Sequence, residues 1–174
     1  MLCISSILLV AAGCNFGTDR LSTGQFTYRF NTNRTITITD TLLFPSGNDT
    51  LQAFRTQPAE GGDLLFLWQR RKSRTDGNAD RTETATLLFQ LPDTVEELSA
   101  DNGSLRSLNM LLMPRCNCPE DDAGFPVSRG TFLADKLSET VWLIELAVSV
   151  DLPDETANVK IDHIFVFSPD PVLQ

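Results

Sequence analysis

From Gln25 onward, apolar and polar residues alternate singly through most of the chain. A period of two places successive side chains on opposite faces, so the pattern demands half-buried β-strands and excludes a helical domain. Phe26, Tyr28 and Phe30 alternate with Thr27 and Arg29. Ile36, Ile38, Leu42 and Phe44 alternate with the polar row Thr35, Thr37, Thr39 and Thr41. Leu64 to Trp68 is continuously apolar, as expected of a central strand covered on both faces. Thr84 to Leu91, Leu105 to Met113, Ser128 to Ala134, Thr140 to Val150 and Val159 to Phe167 complete a set of about eight strands. Only Thr94-Val95-Glu96-Glu97 has the look of a helix start, a capping box on one or two turns.

Two hairpins can be registered by arithmetic. Folding about Asp76-Gly77-Asn78-Ala79 sets Trp68 opposite Leu87, Phe66 opposite Phe89 and Leu64 opposite Leu91. All three pairs are apolar, whereas a slip of one residue would set Trp68 against Thr86. Folding about Pro153-Asp154-Glu155-Thr156 sets Val150 opposite Val159, Val148 opposite Ile161, Leu146 opposite His163, Ile144 opposite Phe165 and Trp142 opposite Phe167. Long hairpins on short turns imply antiparallel sheets. The expectation is an all-β, antiparallel sandwich, with a lipocalin-like up-and-down β-barrel as the alternative. Phe66, Trp142, Ile144, Val148 and Phe165 should be buried in its core. Residues 25–174 form one domain, and eleven Phe against one Tyr suit a buried aromatic core better than a Tyr-rich surface.

The formal net charge is −9, and residues 1–13 carry no charged side chain. An acidic domain has no broad basic field with which to displace counterions, which argues against nucleic-acid binding and against docking on anionic lipid. Membrane attachment must come from elsewhere, and the first residues offer it. Ile4 to Ala12 is an apolar run too short to span a bilayer, followed by Ala11-Ala12-Gly13-Cys14. This tetrapeptide resembles the lipobox of bacterial lipoproteins. The resemblance implies a signal peptide over 1–13, cleavage before Cys14, lipid on its thiol, and a flexible tether over 14–24. Asn15 follows the cysteine, which by the same resemblance implies the outer membrane. The stretch from Gly130-Thr131-Phe132 through Trp142 to Ile164-Phe165-Val166-Phe167 resembles the closing strands of small β-sandwich lipoproteins of unknown function.

No sequence motif announces catalysis. His163, the single histidine, falls on the apolar face of the last strand, where a core imidazole bonded to a carbonyl is expected. Gly-x-Ser-x-Gly, His-Glu-x-x-His and phosphate-binding glycine loops are absent from the sequence, and no cofactor is implied. A glycan hydrolase needs only two carboxylates, and would be favoured by a cleft with an exposed Trp. Burial of both Trp68 and Trp142 would remove sugar stacking through Trp. Asp76-x-Asn78-x-Asp80 mimics a calcium loop, but Arg81 and Leu87 stand where Gly and Glu are needed. Arg70, Arg71, Lys72 and Arg74, with Arg81 across the turn, form a basic hairpin end that could hold phosphate or sulfate groups or stand as solvated charge. Thr41, Thr50 and Thr94 each sit in an Asp-Thr-apolar triplet resembling the O-glycosylation acceptor of one bacterial phylum. Cys116 and Cys118 lie beside Met110 and Met113. A Cys116–Cys118 disulfide is expected in an oxidising envelope, with free thiols or a soft-metal site as alternatives. The functional expectation is a lipid-anchored, noncatalytic binding or structural module for an envelope protein or glycan. A barrel-shaped carrier of small ligands and a carboxylate-based glycan-acting enzyme are the alternatives.

Overall fold

The computed structural model describes residues 24–46, 49–76, 79–115, 123–153 and 158–169. Among these residues the chain forms eleven strands and one short 3₁₀ segment. They run β1 (Gln25–Asn31), β2 (Arg34–Ser46), β3 (Asp49–Glu60), β4 (Asp63–Asp76), β5 (Ala79–Pro92), β6 (Glu97–Asp101), the 3₁₀ turn η1 (Asn102–Leu108), β7 (Leu111–Arg115), β8 (Phe125–Pro126), β9 (Arg129–Ser138), β10 (Val141–Asp151) and β11 (Asn158–Pro169). Nine strands make one hydrogen-bonded array in the order β6-β9-β10-β11-β1-β4-β5-β7-β8, and β2 pairs with β3. Every strand pairing is antiparallel except β1 with β11, which is parallel at Arg29–Ser168 and Phe30–Pro169.

The array folds over at the β1–β11 seam, so that two halves face each other. Phe66 on β4 meets Trp142 on β10 and Phe167 on β11 at ring-centroid distances of 5.6 and 5.3 Å, although β4 bonds to neither strand. Phe89 on β5 reaches Phe132 on β9 at 5.3 Å. This is a sandwich, and the barrel alternative fails because β6 and β8 end the array without pairing with each other.

Both registers read from the sequence are found. Trp68 faces Leu87, Phe66 faces Phe89 and Leu64 faces Leu91. The five pairs from Trp142–Phe167 to Val150–Val159 match as well. Phe66, Trp142, Ile144, Val148 and Phe165 are all buried. β4 is also covered on its outer side, where Leu65 is buried and the β2–β3 hairpin packs against the sheet.

Three expectations need correction. The strands number eleven among the described residues: the apolar residues of β3, Leu51, Ala53, Phe54 and Ala59, do not alternate regularly, and β6 and β8 are too short to show a period. Leu105 to Met113 is not one strand: Asn102–Leu108 winds as η1, and β7 begins at Leu111. Leu105 and Leu108 are both buried, three residues apart, the spacing that aligns side chains on a 3₁₀ turn. Asn102 and Asn109 bracket it at positive φ, which Asn tolerates better than most residues. The Thr94 segment makes only a turn, with Val95 N–H bonded to Pro92 C=O at 3.1 Å, before Glu97 enters β6. Pairing with β9 buries Ala100 there, which a lone helical turn would leave exposed.

Candidate functional site

A groove of about 710 Å³ lies between the β2–β3 hairpin and the η1–β7–β8 segment. Its hairpin wall depends on one extra residue. Ile38 pairs with Thr56, but Asp40 pairs with Arg55, so Thr39 is a β-bulge. Beyond a bulge the faces exchange. Leu42 and Phe44 turn inward with Ala53, and Phe44 packs against Phe125 with ring centroids 5.6 Å apart. Ile36 and Ile38 instead share the opposite face with Phe54 and Gln52, and all four line the groove. The same bulge breaks the polar row expected over Thr35 to Thr41, leaving Thr35 and Thr37 on one face and Thr41 on the other.

The far wall comes from η1 and the strands after it. Met110, Leu111 and Val127 are buried there, beside Asn109, Pro126 and Ser128. Val127 N–H donates to Met110 C=O at 2.9 Å. Phe54 and Gly124 exchange two backbone bonds of 2.9 and 2.8 Å, which clamp β3 to β8. A Cβ on Gly124 would stand 3.2 Å from Leu111 Cβ, so the absence of a side chain permits this close approach.

The two walls are joined by Gln90, whose side chain is buried on the outer face of β5. Its Nε2 donates to Thr35 Oγ1 at 2.6 Å and to Asp63 Oδ2 at 2.9 Å, and its Oε1 accepts from Asn109 Nδ2 at 3.0 Å. A buried amide with donors and acceptor all used is a rigid joint. Asn109 N–H also donates to Arg106 C=O at 3.2 Å, closing η1. Leu105 and Leu108 bury one side of η1, which turns Arg106 outward to the groove. Arg106 is the only charged residue among those lining it. Among the described residues no carboxylate pairs with its guanidinium. The lining therefore offers hydroxyls, amides, apolar surface and one cation.

Comparison with family models, with curated proteins and with solved structures finds no match to this chain.

The residues singled out from the sequence lie elsewhere. Arg70 is only 4% exposed, on the Trp68 face of β4, while Arg71 is exposed on the other face. Lys72 is half-buried. Arg74 and Arg81 are cross-strand partners whose side chains lie outside the described residues. Among the described side chains of the run, strand alternation thus sets Arg70 and Lys72 on one face of β4 and Arg71 on the other. Trp68 and Trp142 are both fully buried, so neither can stack on a sugar. Thr41, Thr50 and Thr94 are all exposed. His163 faces Leu146 in register, and its side chain lies outside the described residues. Cys14, Cys116 and Cys118 lie outside them as well. Sequence reasoning missed Gln90, Asn109 and Arg106. The signal for Arg106 was present in the Leu105–Leu108 spacing, which sets the residue between them apart from both.

Proposed function

We propose that this chain is a lipid-anchored module of the bacterial cell envelope that binds an envelope protein or glycan, without catalysis, in the groove beneath the β2–β3 hairpin. The observation that carries the reading is the groove itself. Its walls are locked together through Gln90, and Arg106, with no acidic partner among the described residues, stands over a largely apolar lining. Mixed apolar surface with a few convergent polar groups is the usual make-up of a binding site. Burial of both tryptophans removes the aromatic platform that favoured a glycan hydrolase. The open array gives no closed lumen for a barrel-type carrier. The anchor rests on the apolar run ending at Cys14, and diacylglyceryl chains contribute roughly 0.8 kcal/mol per buried CH₂.

A photoreactive diazirine placed at Gln52 in the groove, and separately at exposed Lys160 on β11, tests the binding site in living cells. A protein or glycan adduct from position 52 and not from 160 is expected. Equal labelling from both positions, or none from 52, refutes the groove as the site. For the anchor, Cys14→Ala should release the protein into the soluble envelope fraction. Retention in membranes, with no acyl group on wild-type Cys14 by mass spectrometry, refutes lipidation.

A further inference from the structure

The groove has a feature that selects among ligand classes. Thr35, Ile36, Thr37 and Ile38 all line it, four residues in succession. A strand seen face-on contributes only alternate residues, as β3 does with Gln52 and Phe54. Consecutive residues indicate that β2 meets the groove along its edge. Among the described residues β2 pairs only with β3, so its other edge carries N–H and C=O groups with no strand to receive them. Edges of this kind are ordinarily blunted by charge or proline. Here the stretch between Arg34 and the bulge at Thr39 has neither. It is about 13 Å long at the usual rise per residue.

Building on the binding-module reading, we infer that the groove takes an extended peptide segment of a partner protein, added as a strand along Thr35–Ile38, with a carboxylate of that segment held by Arg106. Main-chain bonds to the β2 edge would supply affinity for any extended backbone. Alternate side chains of the peptide would then enter the groove against Ile36, Ile38 and Phe54. The carboxylate follows from charge. Arg106 is the one charged residue of the lining, and its guanidinium has no acidic partner among the described residues. Within the groove the guanidinium is the one cation that can receive the negative group. Arginine suits this task because its planar fork accommodates a carboxylate through two hydrogen bonds. The carboxylate can belong to an Asp or Glu side chain or to a C-terminus.

The test uses the full protein extracted from membranes and reconstituted in nanodiscs. It is panned against a phage library displaying random octapeptides at a free C-terminus. The expected result is enrichment of peptides with apolar residues at every second position and at least one carboxylate. A synthetic copy of an enriched peptide should bind about tenfold or more weakly to Arg106→Gln, the loss expected of one charge-assisted contact. The same loss should follow conversion of the responsible carboxylate to an amide, and separate C-terminal and side-chain amides identify which one it is. Peptide binding should also slow hydrogen exchange at the Thr35–Ile38 amides. Arg106 is exposed, so Arg106→Gln should fold normally, which an unchanged melting temperature checks. Failure to enrich any peptide, or enriched peptides indifferent to Arg106→Gln, overturns the inference. If position 52 nonetheless crosslinks a glycan in cells, the binding-module reading stands and only the peptide class falls. If position 52 crosslinks nothing, both fall together.

Discussion

Replacing Gln90 with Met asks whether the joint beneath the groove is held by hydrogen bonds or merely by packing. Methionine keeps nearly the same length and volume but can neither donate nor strongly accept, so the substitution deletes three bonds while leaving little cavity. Each bond contributes about 0.5–1.5 kcal/mol net, and the one to Asp63 belongs near the top of that range because its acceptor is a carboxylate. The abandoned partners are not deeply buried: Thr35 and Asp63 are half-buried and Asn109 is exposed, so water can replace part of what is lost. The expected cost is therefore about 3 kcal/mol, not the larger penalty of orphaned core groups. For a domain of this size that corresponds to a fall in melting temperature of about 6–12 °C. Differential scanning calorimetry and urea denaturation would measure it. A double-mutant cycle then isolates one bond. Asn109 sits at φ 46°, so Asn109→Gly removes its amide while supplying a residue at ease in that conformation. The coupling between Gln90→Met and Asn109→Gly should be about 1 kcal/mol. A melting temperature lowered by less than about 2 °C, or a coupling near zero, would refute the reasoning and leave the groove without its proposed brace.

Phe66→Ala should cost about 3–5 kcal/mol by urea denaturation. The ring is fully buried, stacked on Phe89 at 5.0 Å and edge-on to Trp142 and Phe167. Gly130→Ala should cost about 3 kcal/mol or more, because its φ of +122° is strained for any side chain and its Cβ would fall 2.1 Å from Ala147 O. Gly62→Ala, whose Cβ meets nothing within 4 Å, should be nearly neutral in the same thermal melt. Tyr28, the single tyrosine, has its phenol pKa raised by burial, with its ring 5.1 Å from Phe165. The unfolded chain then loses this proton first as pH rises past about 10, so stability should begin to decline there and continue to fall up to the folded-state pKa. Tyr28→Phe should remove that part of the alkaline decline in urea midpoints, and an unaltered slope would count against the assignment.

Much of the sandwich was legible because strand registration is a local property. A hairpin on a short turn has few registers, and a slip of one residue moves every apolar side chain to the wrong face. Trp68–Leu87 and Val148–Ile161 could thus be paired from the residue pattern alone. The same pattern misled at β2. Ile36, Ile38, Leu42 and Phe44 read as one apolar stripe, yet the structure sends the first two to the groove and the last two inward. Asp40 interrupts the stripe in the sequence, but only the offset against β3 at Thr39 reveals the inserted residue. That offset satisfies two demands at once: Phe44 must reach Phe125, and Thr35 must reach Gln90.

The sequence by itself determined that the chain is a β protein, the register of two of its hairpins, that Phe66, Trp142 and Phe165 enter its core, and that its balance of charge is acidic. Each of these follows from residue type at short spacing, where alternation and turn chemistry act before any distant segment is involved. Only the tertiary structure decided that the first and last strands meet in parallel, that a bulge divides β2 between core and groove, and that Arg70 is buried while Arg106 stands over the groove. These features join segments as far apart as Thr35, Gln90 and Asn109. Their geometry is set by how the whole chain closes its core and satisfies its buried polar groups, a competition that short sequence windows do not contain.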